Sequence, residues 1–246
     1  MDSSFLKIEE EKLSQKLGQK IILSLPEISQ VEIERFEKIG FTLHYLPAIE
    51  ITREKKFVNW QDYPKDNFFE LIRKKRISSK VKILPGKWVF IDCRPKPAKD
   101  CFWITSDNFV LKVLSKFFKI NIKQYYQKKS FQKYEDDFLL PILQNKGYAS
   151  RFSLSCREVK ESIIPSLAQF LKIDSQKIRL PRFVEWNFLG NFFYPQWGTT
   201  STWEWFDDCF STGECLAGGS NSLSILGWDP PDFWSTQLGF RLLIEI

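Results

Sequence analysis

The chain concentrates its tryptophans and glycines in its last sixty residues, and this feature constrains the fold more than any other. Six of the nine tryptophans and seven of the eleven glycines lie between Trp186 and Ile246. After Gly190 the apolar residues follow neither a helical nor a strand period. A long irregular segment is usually functional or disordered, but six tryptophans, which each hide ~150–250 Å² when buried, argue against disorder. We therefore predict an ordered, loop-rich unit packed around tryptophan.

The first 150 residues carry the patterns of alternating helices and strands. Residues 5–17 have a polar helical pattern, and Ser29 with Glu32 predicts a capping box, in which the two side chains satisfy free backbone amides. Residues 41–51 are typical of a strand, and Pro47 places that strand at a sheet edge or at a break. Five further elements are predicted before residue 150: a helix at 68–75, two strands joined by a turn at Pro85 and Gly86 within 80–93, and helices at 105–119 and 134–145.

A second capping box, Ser155 with Glu158, predicts a helix that runs to about Leu171 with its apolar residues on one face. Pro181 suits the first turn of another helix. Helices and strands are thus mixed without a regular repeat, and the fold class we predict is α+β.

Composition and charge exclude several classes of protein. No apolar run reaches the ~18–20 residues of a membrane span, and no signal peptide is visible, so we expect a cytoplasmic protein without a membrane span. Residues 1–150 carry a net charge of +9 and residues 151–246 one of −3, which gives the +6 of the whole chain. The basic residues are spread over several helices, as in the run 73–76, instead of lining one face. We therefore do not predict nucleic-acid binding.

Five cysteines and a single histidine, His44, offer little for a metal site. A tetrahedral zinc site would need ligands from scattered positions, because no two cysteines have the C-x-x-C spacing. Cys209 and Cys215 could face each other across a loop. Two reduced, partly buried thiols are the alternative that a chain without an export signal favours.

Four short motifs occur in order through the second half of the chain. They are Arg-Leu-Pro at 179–181 with Glu185 and Trp186, Thr-Trp-Glu-Trp at 202–205, Ala-Gly-Gly-Ser at 217–220, and Leu-Gly-Phe-Arg at 238–241. In this order and at these spacings the motifs resemble those of the formylglycine-generating-enzyme (sulfatase-modifying factor) family, a variant of the C-type lectin fold.

The resemblance covers residues 150–246, and Trp88 with the residues before it extends it to about residue 80. It implies a C-type-lectin-like domain over 80–246, preceded by an α/β extension or small domain over 1–79. In such a domain the C-terminal part has little regular secondary structure, and Trp186, Trp203 and Trp205 are buried. Glu185, Glu204 and Arg241 would then be buried charges that need partners, because an unpaired buried charge costs several kcal/mol.

The departures from the family pattern decide the chemistry that the resemblance implies. The enzymes carry a reactive cysteine pair between the third and fourth motifs, whereas this chain has no cysteine between Ser220 and Leu238. Thiolate chemistry needs a thiol, so we expect no oxidase activity and no catalytic residues. Related iron-dependent enzymes use several histidines, and His44 alone cannot form that site. We expect no cofactor, except that Glu204 could coordinate a calcium ion with backbone carbonyls.

With the family's catalytic cysteine pair absent, the remaining candidate site is the surface at 220–237, which the C-type-lectin-like fold would place at its exposed ligand face. Small polar residues alternate there with aromatic ones, the composition of adaptable binding loops. The layout is also similar to the variable proteins of diversity-generating retroelements, which keep this scaffold without the catalytic cysteines. We predict a non-catalytic protein that binds a protein or another macromolecule through this face. The predicted ligand-binding residues are Ser220, Asn221, Ser222, Ser224, Trp228, Asp229, Asp232, Phe233, Trp234 and Ser235.

The alternative is a divergent enzyme of the same superfamily with another chemistry. Its candidate groups would be Cys209, Cys215, Asp207 and Asp208.

Overall fold

A computed structural model of the chain describes residues 3–54, 57, 60–94 and 137–246. The predicted helix at 105–119 and the first residues of the one at 134–145 lie outside these ranges. The described helices are α1 (Ser3–Leu17), α2 (Gln30–Glu37), α3 (Asp66–Arg73), α4 (Leu140–Asn145), α5 (Cys156–Glu158, a π-helical turn Val159–Ile163, and Ile164–Leu171) and α6 (Phe183–Phe192). The strands are β1 (Phe41–Glu50), β2 (Ile83–Asp92), β3 (Ile178–Arg179), β4 (Trp203–Cys209), β5 (Cys215–Gly218), β6 (Leu226–Asp229), β7 (Leu238–Phe240) and β8 (Leu243–Glu245).

Local sequence explains where the two best-predicted helices begin. Both capping boxes are present: Ser29 caps α2 with Glu32, and Ser155 caps α5 with Glu158. The reciprocal bonds satisfy backbone amides that have no partner inside the helix. Helix α5 ends at Lys172, which takes the left-handed conformation (φ 54°) at its C-terminus.

The larger sheet has the order β1-β2-β8-β3, and every neighbouring pair in it is antiparallel. The prediction that Pro47 lies in an edge strand is confirmed, since β1 is an edge. The predicted turn at Pro85 and Gly86 is wrong, because β2 runs unbroken through both residues. Gly86 instead takes φ +69° opposite β1, where a Cβ would lie 2.8 Å from the Cβ of Ala48. The segment before residue 80 therefore extends this sheet through β1.

The smaller sheet has the order β6-β5-β4-β7 and lies wholly within residues 203–240. Strand β4 is parallel to β7, and the other pairs are antiparallel. The prediction of little regular structure in the C-terminal part is therefore wrong. These strands are only three to seven residues long, and all four residues of β5 are buried. A strand buried on both faces shows no alternation of polar and apolar residues. The fold is α+β.

Two of the three tryptophans predicted to be buried are completely so: Trp186 and Trp205 have 0% exposure. Trp203 is only partly buried, and its ring lies over Gly227 of the edge strand β6, 3.2 Å from where a Cβ would stand.

The buried charges have the partners that we predicted. Arg241 donates to both carboxylate oxygens of Glu204, at 2.9 and 3.1 Å, and the Trp186 indole N–H donates to Glu204 at 2.6 Å. Glu185 accepts from two arginines, Arg179 and Arg182, at 2.7 Å each. Burial alone would raise the pKa of Glu185, but the two guanidinium groups outweigh it and hold that pKa at about 2.

Candidate functional site

The predicted binding segment forms two loops at opposite ends of β6. Ser220, Asn221, Ser222 and Ser224 precede the strand, Trp228 and Asp229 belong to it, and Asp232, Phe233, Trp234 and Ser235 follow it. A strand rises ~3.3 Å per residue, so the four-residue β6 separates the loops by roughly 10 Å. The ten residues form two groups joined by a strand, and we call their outer side the β6 face.

Hydrogen bonds from distant segments fix the first loop. The carboxylate of Asp62 accepts the Leu223 N–H at 3.0 Å and the Ser222 hydroxyl at 3.2 Å. The Asn187 side chain of α6 donates to the Leu223 carbonyl at 2.7 Å. Asn221 stands exposed at the tip with φ 56°, a left-handed conformation that asparagine tolerates better than most residues. These hydrogen bonds hold the backbone of the loop in one conformation, with the Asn221 side chain exposed.

Trp228 is the aromatic residue that the β6 face offers to solvent. Of the eight tryptophans that the structure describes, it alone is classed as exposed, with 43% of its surface accessible. It pairs with Leu216 across β5 and β6, and its ring stands perpendicular to that of Phe210 with the centroids 5.3 Å apart. Phe210 is buried, so Trp228 is supported on one side and open on the other.

Phe210 also lines a groove of about 650 Å³. The end of α3 and the residues that follow it form one wall, and the β4–β5 hairpin forms the other. Arg73, Lys75 and Arg76 line it. Arg73 is paired with Glu70 at 2.6 Å, whereas the side chains of Lys75 and Arg76 make no ion pair within the described ranges. The groove therefore favours acidic groups.

The second loop packs against the start of α5. The Arg157 N–H donates to the Pro231 carbonyl at 3.0 Å, and the Arg157 side chain pairs with Asp232 at 3.2 Å. Phe233 and Trp234 are partly buried. This loop contributes less aromatic surface than the sequence suggested.

Two of the ten predicted residues are not at the surface. Ser224 and Ser235 have 1% and 0% exposure. The Ser224 hydroxyl shares a 2.8 Å hydrogen bond with Ser222, and the Ser235 hydroxyl accepts the Gln237 N–H at 3.2 Å. In this structure both hydroxyls face inward and stabilise the turns of the loops, so neither side chain is open to a ligand.

Glu204, the residue predicted as a possible calcium ligand, is buried and paired with Arg241. Glu204 is 4% exposed, and both of its carboxylate oxygens accept hydrogen bonds from Arg241 or Trp186. The charge that a cation would neutralise is already paired with the guanidinium. Within the part of the chain that the structure describes, no group of three or more His, Cys, Asp or Glu side chains is arranged to hold a metal ion.

The candidate groups of the enzymatic alternative lie on β4 and at the start of β5, and they do not form one cluster. The Sγ atoms of Cys209 and Cys215 are 3.4 Å apart, and the Lys160 ammonium lies 3.7 Å from the Cys209 sulfur and 2.9 Å from Asp207. Asp208 faces the core, where it accepts the Phe183 N–H at 2.6 Å, and burial raises its pKa to about 7. Asp208 is thus separated from the thiols.

The thiols are not poised for nucleophilic catalysis. A hydrogen bond with Cys156 and burial raise the pKa of Cys215 to about 12. The hydrogen bond with Cys215, followed by burial, raises the pKa of Cys209 as well. A nucleophilic cysteine needs a lowered pKa, because the thiolate is the reactive form.

Sequence reasoning missed the groove and the third thiol. The basic run at 73–76 was visible, but nothing in the sequence brings it to Phe210, more than 130 residues later. Cys156 and Lys160 lie on one face of α5, four residues apart, and that spacing was the available signal.

In comparisons with known proteins, the chain matches no protein-family model, no curated protein and no solved structure. Across the described ranges, no helix combines the length and apolarity needed to cross a membrane.

Proposed function

We propose that this protein is a non-catalytic binder that holds a protein or another macromolecule on the β6 face. The observation that carries the proposal is Trp228, an exposed tryptophan at 43% accessibility on a hydrogen-bonded strand. Large aromatic side chains that stay open to solvent on a fixed backbone are typical binding anchors. Asn221 and Ser222 at one end of β6, and Asp232 at the other, add polar groups around this anchor.

The proposed scaffold is a C-type-lectin-like fold of the formylglycine-generating-enzyme type. Its support is the order of elements: α5, α6 and the smaller sheet all lie between β2 and β8, and those two strands are paired in the larger sheet. The loops around β6 then project from a closed unit. From this scaffold, the absence of a cysteine between Ser220 and Leu238 and the position of the loops, we further propose that the protein serves as the variable protein of a diversity-generating retroelement.

The groove next to Trp228 suggests the chemistry of the ligand. Phe210 contacts the Trp228 ring and also lines the groove. A ligand that occupies both Trp228 and the groove would meet Lys75 and Arg76, which carry charges without a paired carboxylate in the described ranges. The proposed ligand carries acidic groups beside an apolar contact surface.

A selection of displayed random peptides on the wild-type protein tests the proposal. Peptides selected on the wild type should lose ~30-fold or more in affinity for Trp228→Ala, because an anchor of this type is worth ~2 kcal/mol. Phe170→Ala is the matched control, since Phe170 is also a large exposed aromatic residue, at 58%, but lies on α5. Equal losses with both variants, or unchanged binding to Trp228→Ala, would contradict the proposal.

The acidic character of the ligand has its own matched pair of variants. Lys75→Gln should weaken the selected peptides and reduce the salt dependence of binding, because it removes a groove charge. Lys74→Gln removes the same charge one residue earlier, at a side chain that does not line the groove. If both substitutions change binding equally, the groove has no specific part in it.

The retroelement role is tested by sequencing the same locus in sibling strains. Differences concentrated in the codons for residues 220–237, at positions with exposed side chains such as Asn221 and Asp232, are expected. Differences spread evenly along the locus would contradict this part of the proposal and leave the binding experiments unaffected.

A further inference from the structure

We propose that Cys209 and Cys215 form a reversible disulfide by exchange with a small-molecule disulfide such as glutathione disulfide. The cross-link would close the β4–β5 hairpin at the wall of the groove. It is independent of the binding proposal, because it rests on the thiols alone.

The two cysteines are direct partners in the ladder between β4 and β5. Directly opposed residues of an antiparallel pair have Cα atoms ~4.5–5.5 Å apart, which falls within the ~4.4–6.8 Å that a disulfide requires. Their sulfurs are 3.4 Å apart and must approach to about 2.05 Å to bond.

The hairpin can accommodate that small movement. Its loop spans residues 210–214 and is closed by a 2.7 Å hydrogen bond from the Phe210 N–H to the Glu214 carbonyl. Ser211, Thr212 and Gly213 are exposed, and no side chain lies within 4 Å of a Cβ built on Gly213. On the other side, β4 carries three residues opposite Leu216 alone, an irregularity that relaxes the ladder next to Cys209.

The two thiols differ in exposure, which gives them different roles in the exchange. Cys209 is partly exposed and lines the groove, whereas Cys215 is only 3% exposed behind it. The Lys160 ammonium, 3.7 Å from the Cys209 sulfur, favours the thiolate there, although the hydrogen bond with Cys215 and burial still leave the Cys209 pKa raised. The outer cysteine therefore meets the reagent first, and the inner one completes the bond.

The exchange balances in two steps. The Cys209 thiolate attacks one sulfur of glutathione disulfide, which forms a protein–glutathione disulfide and releases one glutathione thiolate. The Cys215 thiolate then attacks the Cys209 sulfur and releases the second glutathione. Two protein thiols are oxidised, one glutathione disulfide is reduced to two glutathiones, and the two thiol protons pass to solvent or to the released thiolates. Since both thiols are mostly protonated near neutral pH, we expect slow exchange, so the equilibrium is the quantity to measure.

Cys156 supplies the internal control. It is completely buried at the first residue of α5 and forms a hydrogen bond with Cys215. It therefore has no route to the reagent, although it lies close enough to compete for Cys215. A correct proposal requires a cross-link that does not depend on Cys156.

The experiment equilibrates the full-length protein in glutathione redox buffers at pH 8, blocks free thiols with N-ethylmaleimide, and digests the denatured protein with glutamyl endopeptidase. Cleavage after Glu204, Glu214 and Glu245 places Cys209 in peptide 205–214 and Cys215 in peptide 215–245. In oxidising buffer we expect these two peptides joined, with the mass of their sum less two hydrogens. The joined species should disappear with reductant.

The variants decide whether the assignment is correct. Cys209→Ser and Cys215→Ser should abolish the joined peptides, whereas folded Cys156→Ser, checked by circular dichroism, should retain them. Two N-ethylmaleimide-labelled peptides in the most oxidising buffer, a link to Cys156, or loss of the link in Cys156→Ser would each overturn the proposal. Wild-type protein suffices for the first two outcomes, so a variant that fails to fold does not block the test.

Discussion

Replacing Arg241 with methionine should strongly destabilise the protein. Arg241 is 2% exposed, donates two hydrogen bonds to Glu204, and holds its guanidinium carbon 3.7 Å from the centroid of the Trp197 ring. It also donates to the Asp92 carbonyl. Methionine fills much of the same volume, but it leaves Glu204 buried with the Trp186 indole N–H as its remaining partner among these groups.

The magnitude follows from the buried charge. Removing one partner of a buried ion pair costs ~3–5 kcal/mol, because the other charge stays in a site that solvates it poorly. For a chain of this size each kcal/mol lowers Tm by ~2–4 °C. Arg241→Met should therefore lower Tm by about 10 °C, in a measurement by far-ultraviolet circular dichroism at pH 7.

The double variant Glu204→Gln/Arg241→Met tests the cause. Glutamine still accepts the Trp186 N–H but carries no charge, so the double variant should melt at a higher temperature than Arg241→Met alone. The single variant Glu204→Gln completes the cycle and gives the coupling energy. If the double variant melts at or below the temperature of Arg241→Met, the loss comes from packing at position 241, and the argument from the unpaired charge is wrong.

Three further predictions concern stability. Burial raises the pKa of Asp208 to about 7 from ~3.9 in the unfolded chain, so its contribution to stability is fully present below about pH 4 and is lost as the pH rises through 7. Asp208→Asn should therefore melt higher relative to wild type at pH 8 than at pH 5, and an equal difference at both pH values would contradict this. Lys172→Gly should raise Tm by ~2 °C, because glycine takes the left-handed conformation at the end of α5 without strain; a lower Tm would refute it. Gly218→Ala should lower the free energy of unfolding, measured by urea denaturation, by ~1–3 kcal/mol, because its Cβ would lie 2.3 Å from the Ile225 carbonyl oxygen. A free energy of unfolding equal to that of the wild type would contradict this prediction.

Local signals were the predictable part of the fold. Ser29 and Ser155 each have their capping partner three residues later, so both helix starts can be read from four residues of sequence. Pro47 indicated an edge because it cannot donate to a neighbouring strand. The partners of Glu204 and Arg241 were predictable in kind, since two buried charges of opposite sign must be compensated.

The smaller sheet and the site depended on packing that sequence patterns do not carry. Strand β5 is buried on both faces, so its four residues show no alternation of polar and apolar side chains that would indicate a strand. Pro85 and Gly86 gave a turn signal, but the close approach of β1 decided their conformation. Serine is usually found at the surface, but Ser224 and Ser235 are buried because their hydroxyls form hydrogen bonds within the turns of the loops.

The pairing of β8 with β2 and β3 has a consequence for how the chain folds. Val89 and Glu245 are ladder partners although more than 150 residues separate them. Contacts between such distant parts of a chain raise its contact order, and folding rates fall steeply as contact order rises. During synthesis, β1 and β2 can pair early, but the other edge of β2 has no partner strand until residue 245 has left the ribosome. We expect slow folding, in which β8 joins the two ends of the sheet late.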